Sequence, residues 1–172
     1  MTLTVREIVE ADWRQVRDLR LQALADTPHA FMETLLHAAE QTDEHWQDRA
    51  RWPQEADHCG FAAIDRGRWI GTMRGFTEPD GWITLVGVFV APSHRGRAAG
   101  VADALLDRVE AWAESNGAPG IRLEVHERNE RAQRLYLRRG YGFTGEWQPY
   151  PLNESERELV MIRGLPAAAE GC

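Results

Sequence analysis

The residues Arg95-Gly96-Arg97-Ala98-Ala99-Gly100-Val101 make a basic turn of small side chains between an apolar run, Val88-Phe89-Val90, and a segment of helical periodicity. A helix entered this way offers backbone N–H groups with no partner inside the helix, and small residues let an anion come close to them. The chemistry favoured is the holding of a phosphate or pyrophosphate. The turn lacks the Gly-Lys-Ser/Thr ending of a Walker A loop and contains no Gly-x-Gly-x-x-Gly, so mononucleotide and dinucleotide folds are disfavoured. A small-residue turn also simply lets a helix pack closely, so it does not decide alone.

A second constellation follows in Glu124-Val125-His126-Glu127-Arg128-Asn129, Ala132 and Leu135-Tyr136-Leu137-Arg138-Arg139-Gly140-Tyr141. A strand ends, an asparagine stands at a helix entrance, and a tyrosine lies on the helix it opens. Taken singly, Asn129 serves as a helix cap and Tyr136 as a half-buried aromatic with a wet hydroxyl. Taken together, downstream of an anion turn, they make a polar handle and a proton donor available near one another.

Hydrophobic periodicity supplies the elements that must hold these groups. Leu3 to Val9 alternates as an early strand. Asp12 is placed to cap a helix to about Ala25, stopped by Pro28, and Thr42 or Asp43 to cap a second through about Arg51. The stretch from Ala30 to Gln41 fits no single template. Cys59 to Ile64 and Trp69 to Phe76 read as a hairpin across Asp65-Arg66-Gly67-Arg68, and a turn through Gly81 leads to a strand from Trp82 to Val90. A helix from about Arg97 to Ser115 connects to a short strand, Ile121 to Val125, which must run parallel to its predecessor by a right-handed crossover. A helix over about Glu130 to Arg139 and strands over about Phe143 to Tyr150 and Glu158 to Arg163 complete a single domain, residues 1–165. Residues 166–172 read as a frayed tail.

Composition excludes several classes. With 172 residues, 43% hydrophobic and 27% charged, the chain suits one globular domain. No apolar run approaches the roughly 20 residues of a membrane span, and the first ten residues do not read as a secretory signal; a cytoplasmic protein without membrane association is expected. The net charge of −7 argues against a nucleic-acid partner and is compatible with attracting a cationic amine. The six histidines and the two cysteines, Cys59 and Cys172, show no metal-ligand spacing, so no metal is expected.

In these motifs and in element order the sequence resembles the GNAT superfamily of N-acetyltransferases over nearly its whole length. The family's Arg/Gln-x-x-Gly-x-Gly/Ala loop is matched by Arg95, by Ala98 in place of the usual first glycine, and by Gly100. The family's Asn-x-x-Ala-x-x-Leu-Tyr-x-x-x-Gly-Phe/Tyr is matched by Asn129, Ala132, Leu135, Tyr136, Gly140 and Tyr141. Alanine at 98 leaves its N–H free, so the loop should survive if that residue keeps a negative φ.

The resemblance implies an α/β (α+β) fold, a mixed, mostly antiparallel sheet of about seven strands flanked by helices, with the fourth and fifth strands splayed apart. It implies acetyl-CoA as co-substrate, with Val88, Phe89 and Val90 along the pantetheine, Arg95, Gly96, Arg97, Ala98, Ala99, Gly100 and Val101 around the pyrophosphate, and Asn129 bonded to the pantetheine arm. Tyr136 would give a proton to the departing thiolate, a role that an ordinary tyrosine pKa of about 10 permits. A freed N–H near Val90 would stabilise the oxyanion.

For the base that takes the proton of the amine, Glu124 occupies the position that looks like the catalytic glutamate of ribosomal-protein alanine N-acetyltransferases; a solvated strand carboxylate fits equally. Glu33, Glu40 and Glu78 lie on segments expected to border the acceptor cleft, and nothing in the spacing selects His94 or His126. Phe31 and Trp82 are candidates, with Glu33 and Glu78, for the acceptor pocket, although Phe31, Trp46, Trp82, Trp147 and Tyr150 also suit ordinary packing. The resulting expectation is an acetyl-CoA-dependent transferase acting on a primary amine, small-molecule in preference to a protein N-terminus, or else a non-catalytic acyl-CoA-binding module. Homodimerisation is common among the relatives the chain resembles.

Overall fold

Arg66 and Gly67 both take positive φ, 48° and 80°, and so close a tight hairpin turn that matches the right-handed twist of its strands. Those strands are β2 (His58–Asp65) and β3 (Arg68–Thr77). In the computed structural model, which describes residues 2–166, they sit inside one seven-stranded sheet of order β1-β2-β3-β4-β5-β7-β6. β1 (Leu3–Glu7) pairs with β2, and β4 (Ile83–Val90) with β3, all antiparallel. The helix α4 (Val101–Ser115) then crosses to β5 (Gly120–His126), which runs parallel to β4. Helix α5 (Glu130–Arg138) leads to β6 (Gly142–Tyr150) and β7 (Asn153–Gly164), and β7 inserts between β5 and β6.

The sheet opens where the sequence reading places the opening. β4 and β5 share only Ile83 with Ile121, Thr84 with Arg122 and Leu85 with Leu123, whereas β5 stays paired with β7 as far as His126. Just past Leu85 the register of β4 against β3 shifts by one residue, and Gly87 takes φ 62° while accepting the Thr72 hydroxyl on its carbonyl at 2.8 Å. This bulge, invited by glycine in an otherwise β-branched run, bends β4 away from β5.

Helices cover both faces. A side chain at Gly71 would meet Leu105 of α4 at 3.1 Å, whereas its neighbours in β3, Thr72 and Arg74, face Val16, Leu19 and Arg20 of α1 (Trp13–Asp26). The core toward α4 is built from Ile83, Ile121, Leu105, Leu106, Val109 and Met73, and Val16, Leu19 and Ala23 of α1 are buried on the other face. Helix α4 carries Asp103, Asp107 and Glu110 at helical spacing, and these hold Arg138 and Arg139 at the end of α5 at 2.5–3.0 Å.

Several local expectations are corrected. Helix α4 begins at Val101 and not near Arg97, because Gly100 sits in the left-handed region at φ 66° and interrupts helical geometry. Asp12 does not cap α1: its carboxylate accepts the Val9 N–H at 2.9 Å and holds Arg6 at 2.7 Å, closing the short turn Glu10–Asp12. Thr42, not Asp43, caps α3 (Asp43–Arg51), its hydroxyl accepting the His45 N–H. The unassigned stretch after Ala30 contains the single-turn helix α2 (Leu35–Ala39), capped by Thr34. Cys172 and the proposed tail beyond Pro166 lie outside the described residues. Among those described, no helix is long and apolar enough to cross a membrane.

Candidate active site

The splay between β4 and β5 leads into two cavities that share a wall. One, of about 390 Å³, is bordered by Val88, Phe89, Val90, Gly96, Arg97, Ala102 and Asp103, and by Arg131, Arg134 and Arg138 of α5. The other, of about 590 Å³, lies toward α1 and α3 and is bordered by Phe31, Arg49, Arg74, Glu124, His126, Tyr136 and Glu158. Ala30, Phe31, Val88, Asn129 and Ala132 line both. A ligand threading the splay would therefore reach from an arginine-rich mouth to a mixed-charge cleft.

The smaller cavity has the features an anion needs. Gly100 supplies no capping side chain, so the first N–H groups of α4 keep no side-chain partner, and Gly96 at φ 102° turns the loop across them. Ala98 keeps a negative φ, since Arg66 alone among the described non-glycine residues has a positive one. Arg95 borders this cavity too, and its Nε donates to the Val90 carbonyl at 2.7 Å while its guanidinium pairs with Asp26, so it also pins the loop to β4 and α1. Val101 faces the core and offers only backbone.

In the larger cavity Asn129 caps α5 by accepting the Ala132 N–H at 3.3 Å, and no described residue accepts from its side-chain amide. Tyr136 is buried against Tyr141, ring centroids 5.6 Å apart, and no described residue hydrogen-bonds its hydroxyl. Burial lifts its pKa well above the ordinary tyrosine value, which corrects the expectation of an unperturbed phenol. Tyr150 donates to the Phe31 carbonyl at 2.8 Å and so fastens the loop carrying Phe31 onto the end of β6. His126, packed edge-on to Tyr150, accepts the Arg128 N–H on Nδ1 and pairs with Glu156 at 3.0 Å through Nε2.

Glu124 does open on this cleft, and partial loss of water together with the nearby charge of Glu78 raises its pKa. A carboxylate that the sequence reading did not single out accompanies it. Glu158 is only 5% exposed, has one buried oxygen without a hydrogen-bond partner, and is pushed up to about 7 by burial and by Glu124. A carboxylate titrating near neutrality beside a second carboxylate suits proton transfer. The remaining acceptor candidates stand elsewhere. Glu33 is held by Arg20 at 2.8 Å and does not border the cleft. Glu78 does not line the cleft itself but accepts the hydroxyl of Thr84, which does, at 2.8 Å, near enough for its charge to reach Glu124. Trp82 packs over Gly120 and under Arg122 at the closed end of the β4–β5 pair. Phe31 alone of the four lines the cleft, with Arg20 stacked on its ring at 4.3 Å.

A sequence model of the acetyltransferase (GNAT) family matches residues 15–143. A streptothricin acetyltransferase of Streptomyces lavendulae is 29% identical over 65% of this chain and 53% of its own length. An uncharacterized N-acetyltransferase of Mycobacterium bovis is 32% identical over 58% of this chain and 62% of its own. The chain thus spans little more than half the length of these curated relatives. The crystal structure of a putative acetyltransferase from Salmonella typhimurium with acetyl-CoA superposes over 100% of both chains with a TM-score of 0.78 at 17% identity.

Proposed function

The chain belongs to the acetyltransferase (GNAT) family, and from that premise we propose that it transfers the acetyl group of acetyl-CoA to the primary amine of a small molecule by direct attack. One observation carries the reading: an anion-ready loop and a carboxylate-bearing cleft meet at a common wall formed by Val88, Asn129 and Ala132. The likeness to a streptothricin acetyltransferase supports a small-molecule acceptor.

In this reading the N–H groups at the start of α4, with Gly96 and Arg97, take the pyrophosphate, and the free amide of Asn129 faces the pantetheine arm. The bound co-substrate supplies an activated thioester carbonyl. Glu124 removes the proton of the incoming amine, and Glu158 shares that proton because the two carboxylates resist being ionised together. Tyr136 holds its proton throughout the working pH range and offers it as a hydrogen bond to the departing sulfur. The unpaired edge of β4 beyond Leu85 supplies backbone N–H for the carbonyl oxygen.

Direct attack is favoured over a covalent acetyl-enzyme, since no cysteine or serine is among the described residues bordering either cavity. Cys59 is buried in β2 with its thiol pushed up to about 12 by burial, which makes it a poor nucleophile. Initial rates measured over a grid of acetyl-CoA and amine concentrations test the order of events. Intersecting reciprocal plots are expected; parallel plots, with an acetylated chain by mass spectrometry, would show a covalent route.

A further inference from the structure

The wall of the larger cleft opposite Glu124 and Glu158 contains three guanidinium groups, Arg20 of α1, Arg49 of α3 and Arg74 of β3. Arg20 is matched by Glu33 at 2.8 Å. No carboxylate of a described residue pairs with Arg49 or Arg74, and Arg74, only 8% exposed, makes one side-chain hydrogen bond, to the Arg49 carbonyl at 2.9 Å. The two acids at the rim are engaged elsewhere, Asp48 with Arg51 at 2.8 Å and Glu55 beside His58 at 3.6 Å. Burial and the charge of Arg20, partly offset by Glu33, bring Arg49 down to about 10, and burial with the charges of Arg49 and Arg20 brings Arg74 to about 9, values at which both remain cationic at neutral pH.

A buried and a half-buried cation, neither hydrogen-bonded to a carboxylate of a described residue and with only the charge of Glu33 near Arg49, are costly to keep unless an anion joins them. The phosphates of the co-substrate do not fill that need, because the arginines bordering the smaller cavity are a separate set, including Arg97, Arg131 and Arg138. The cleft therefore has opposite polarity at its two walls: guanidinium forks suited to a planar carboxylate on one side, and the Glu124–Glu158 pair, suited to an amine, on the other. Resting on the reading above of this cleft as the acceptor site, we infer that the acceptor is a small aminocarboxylate, whose acid group seats on Arg49 and Arg74 while its amine faces Glu124 and Glu158. A polyamine or plain alkylamine would leave the arginines unmatched.

The test pairs acids with their amides: alanine, β-alanine and 4-aminobutanoate, each against the corresponding carboxamide, with a polyamine as a further arm. Binding is read first, as the thermal shift of the full chain with CoA present, and acetylation second, as thiol release. At least one acid is expected to stabilise the chain and to turn over with kcat/KM about ten- to a hundredfold above its amide, the value of charge-assisted hydrogen bonds. Arg49→Gln, at a side chain with no hydrogen bond of its own to lose, should lower kcat/KM for the acid at least about tenfold more than for the amide. Arg74→Met should do the same if it folds. Amides or the polyamine binding and reacting as well as the acids would overturn the anion site while leaving acetyl transfer intact. An acid-selective thermal shift without thiol release would uphold the anion site and overturn the catalytic reading.

Discussion

Glu124 and Glu158 stand on one face of two neighbouring antiparallel strands, diagonally offset: Glu124 is paired with Val160, and Glu158 with His126. Both therefore point into the same cleft, and the more buried of the two holds its proton until about pH 7. Because the folded-state pKa of Glu158 is raised, its proton favours folding below the ordinary glutamate range and that contribution is lost as pH climbs to about 7. The Tyr150 hydroxyl is near enough to feel the charge of Glu158, and His126 is the cross-strand partner of Glu158. Glu158→Gln should flatten the fall in melting temperature between about pH 4.5 and 7, and should remove an inflection near 7 from the acidic limb of kcat/KM. Thermal melts and rate profiles across pH check both.

In the proposed mechanism Tyr136 gives its hydrogen bond to the departing sulfur and does not touch the phosphates. Tyr136→Phe should lower kcat by about a hundredfold, the low end for an acid–base group, with CoA affinity by calorimetry changed less than about threefold. Unchanged turnover would remove the hydroxyl from the mechanism.

The loop makes a paired prediction at its two small residues. Ala98 keeps a negative φ, so Ala98→Gly should change CoA affinity less than about threefold and cost no more than ~1 kcal/mol of stability, through the unfolded chain. Gly100 lies at φ 66°, so Gly100→Ala should cost about 1–2 kcal/mol and weaken CoA binding as the helix entrance shifts. Urea titration and calorimetry on the two variants separate these effects.

Glu110 anchors the rear of the site. It is buried on α4, with Arg139 and Arg163 each at 2.5 Å and the Tyr141 hydroxyl at 3.4 Å. Glu110→Ala leaves Arg163 without a carboxylate among the described residues, while Asp107 still holds Arg139, and should cost about 1–3 kcal/mol in urea unfolding. Because this network holds the end of α5, CoA affinity should fall with it.

The parts of the site held by local backbone chemistry were legible in the sequence. The capping Asn129 and the parallel crossover into β5 each follow from short-range rules, whereas the entrance of α4 falls at Gly100, past the Arg97 that periodicity suggested. What stayed hidden depends on pairing between distant segments. Glu158 becomes a partner of Glu124 only once β7 inserts between β5 and β6. Arg20, Arg49 and Arg74 come from three elements, and only Arg74, a charge inside the alternating strand from Trp69 to Phe76, left a trace in the pattern. Arg95 borders the smaller cavity where the motif places it, but its pairing with Asp26, far back in the chain, left no sign in the sequence.

The central claim is that the two cavities sharing Val88, Asn129 and Ala132 form one transferase site. Its most direct test is thiol release from acetyl-CoA by the purified chain across amino acids, other small amines and peptide N-termini, with the product identified by mass spectrometry. The account predicts CoA release matched one for one by an N-acetylated small molecule, and dependent on Tyr136 and Glu124. A chain that binds CoA yet releases no thiol above background with any amine would contradict it.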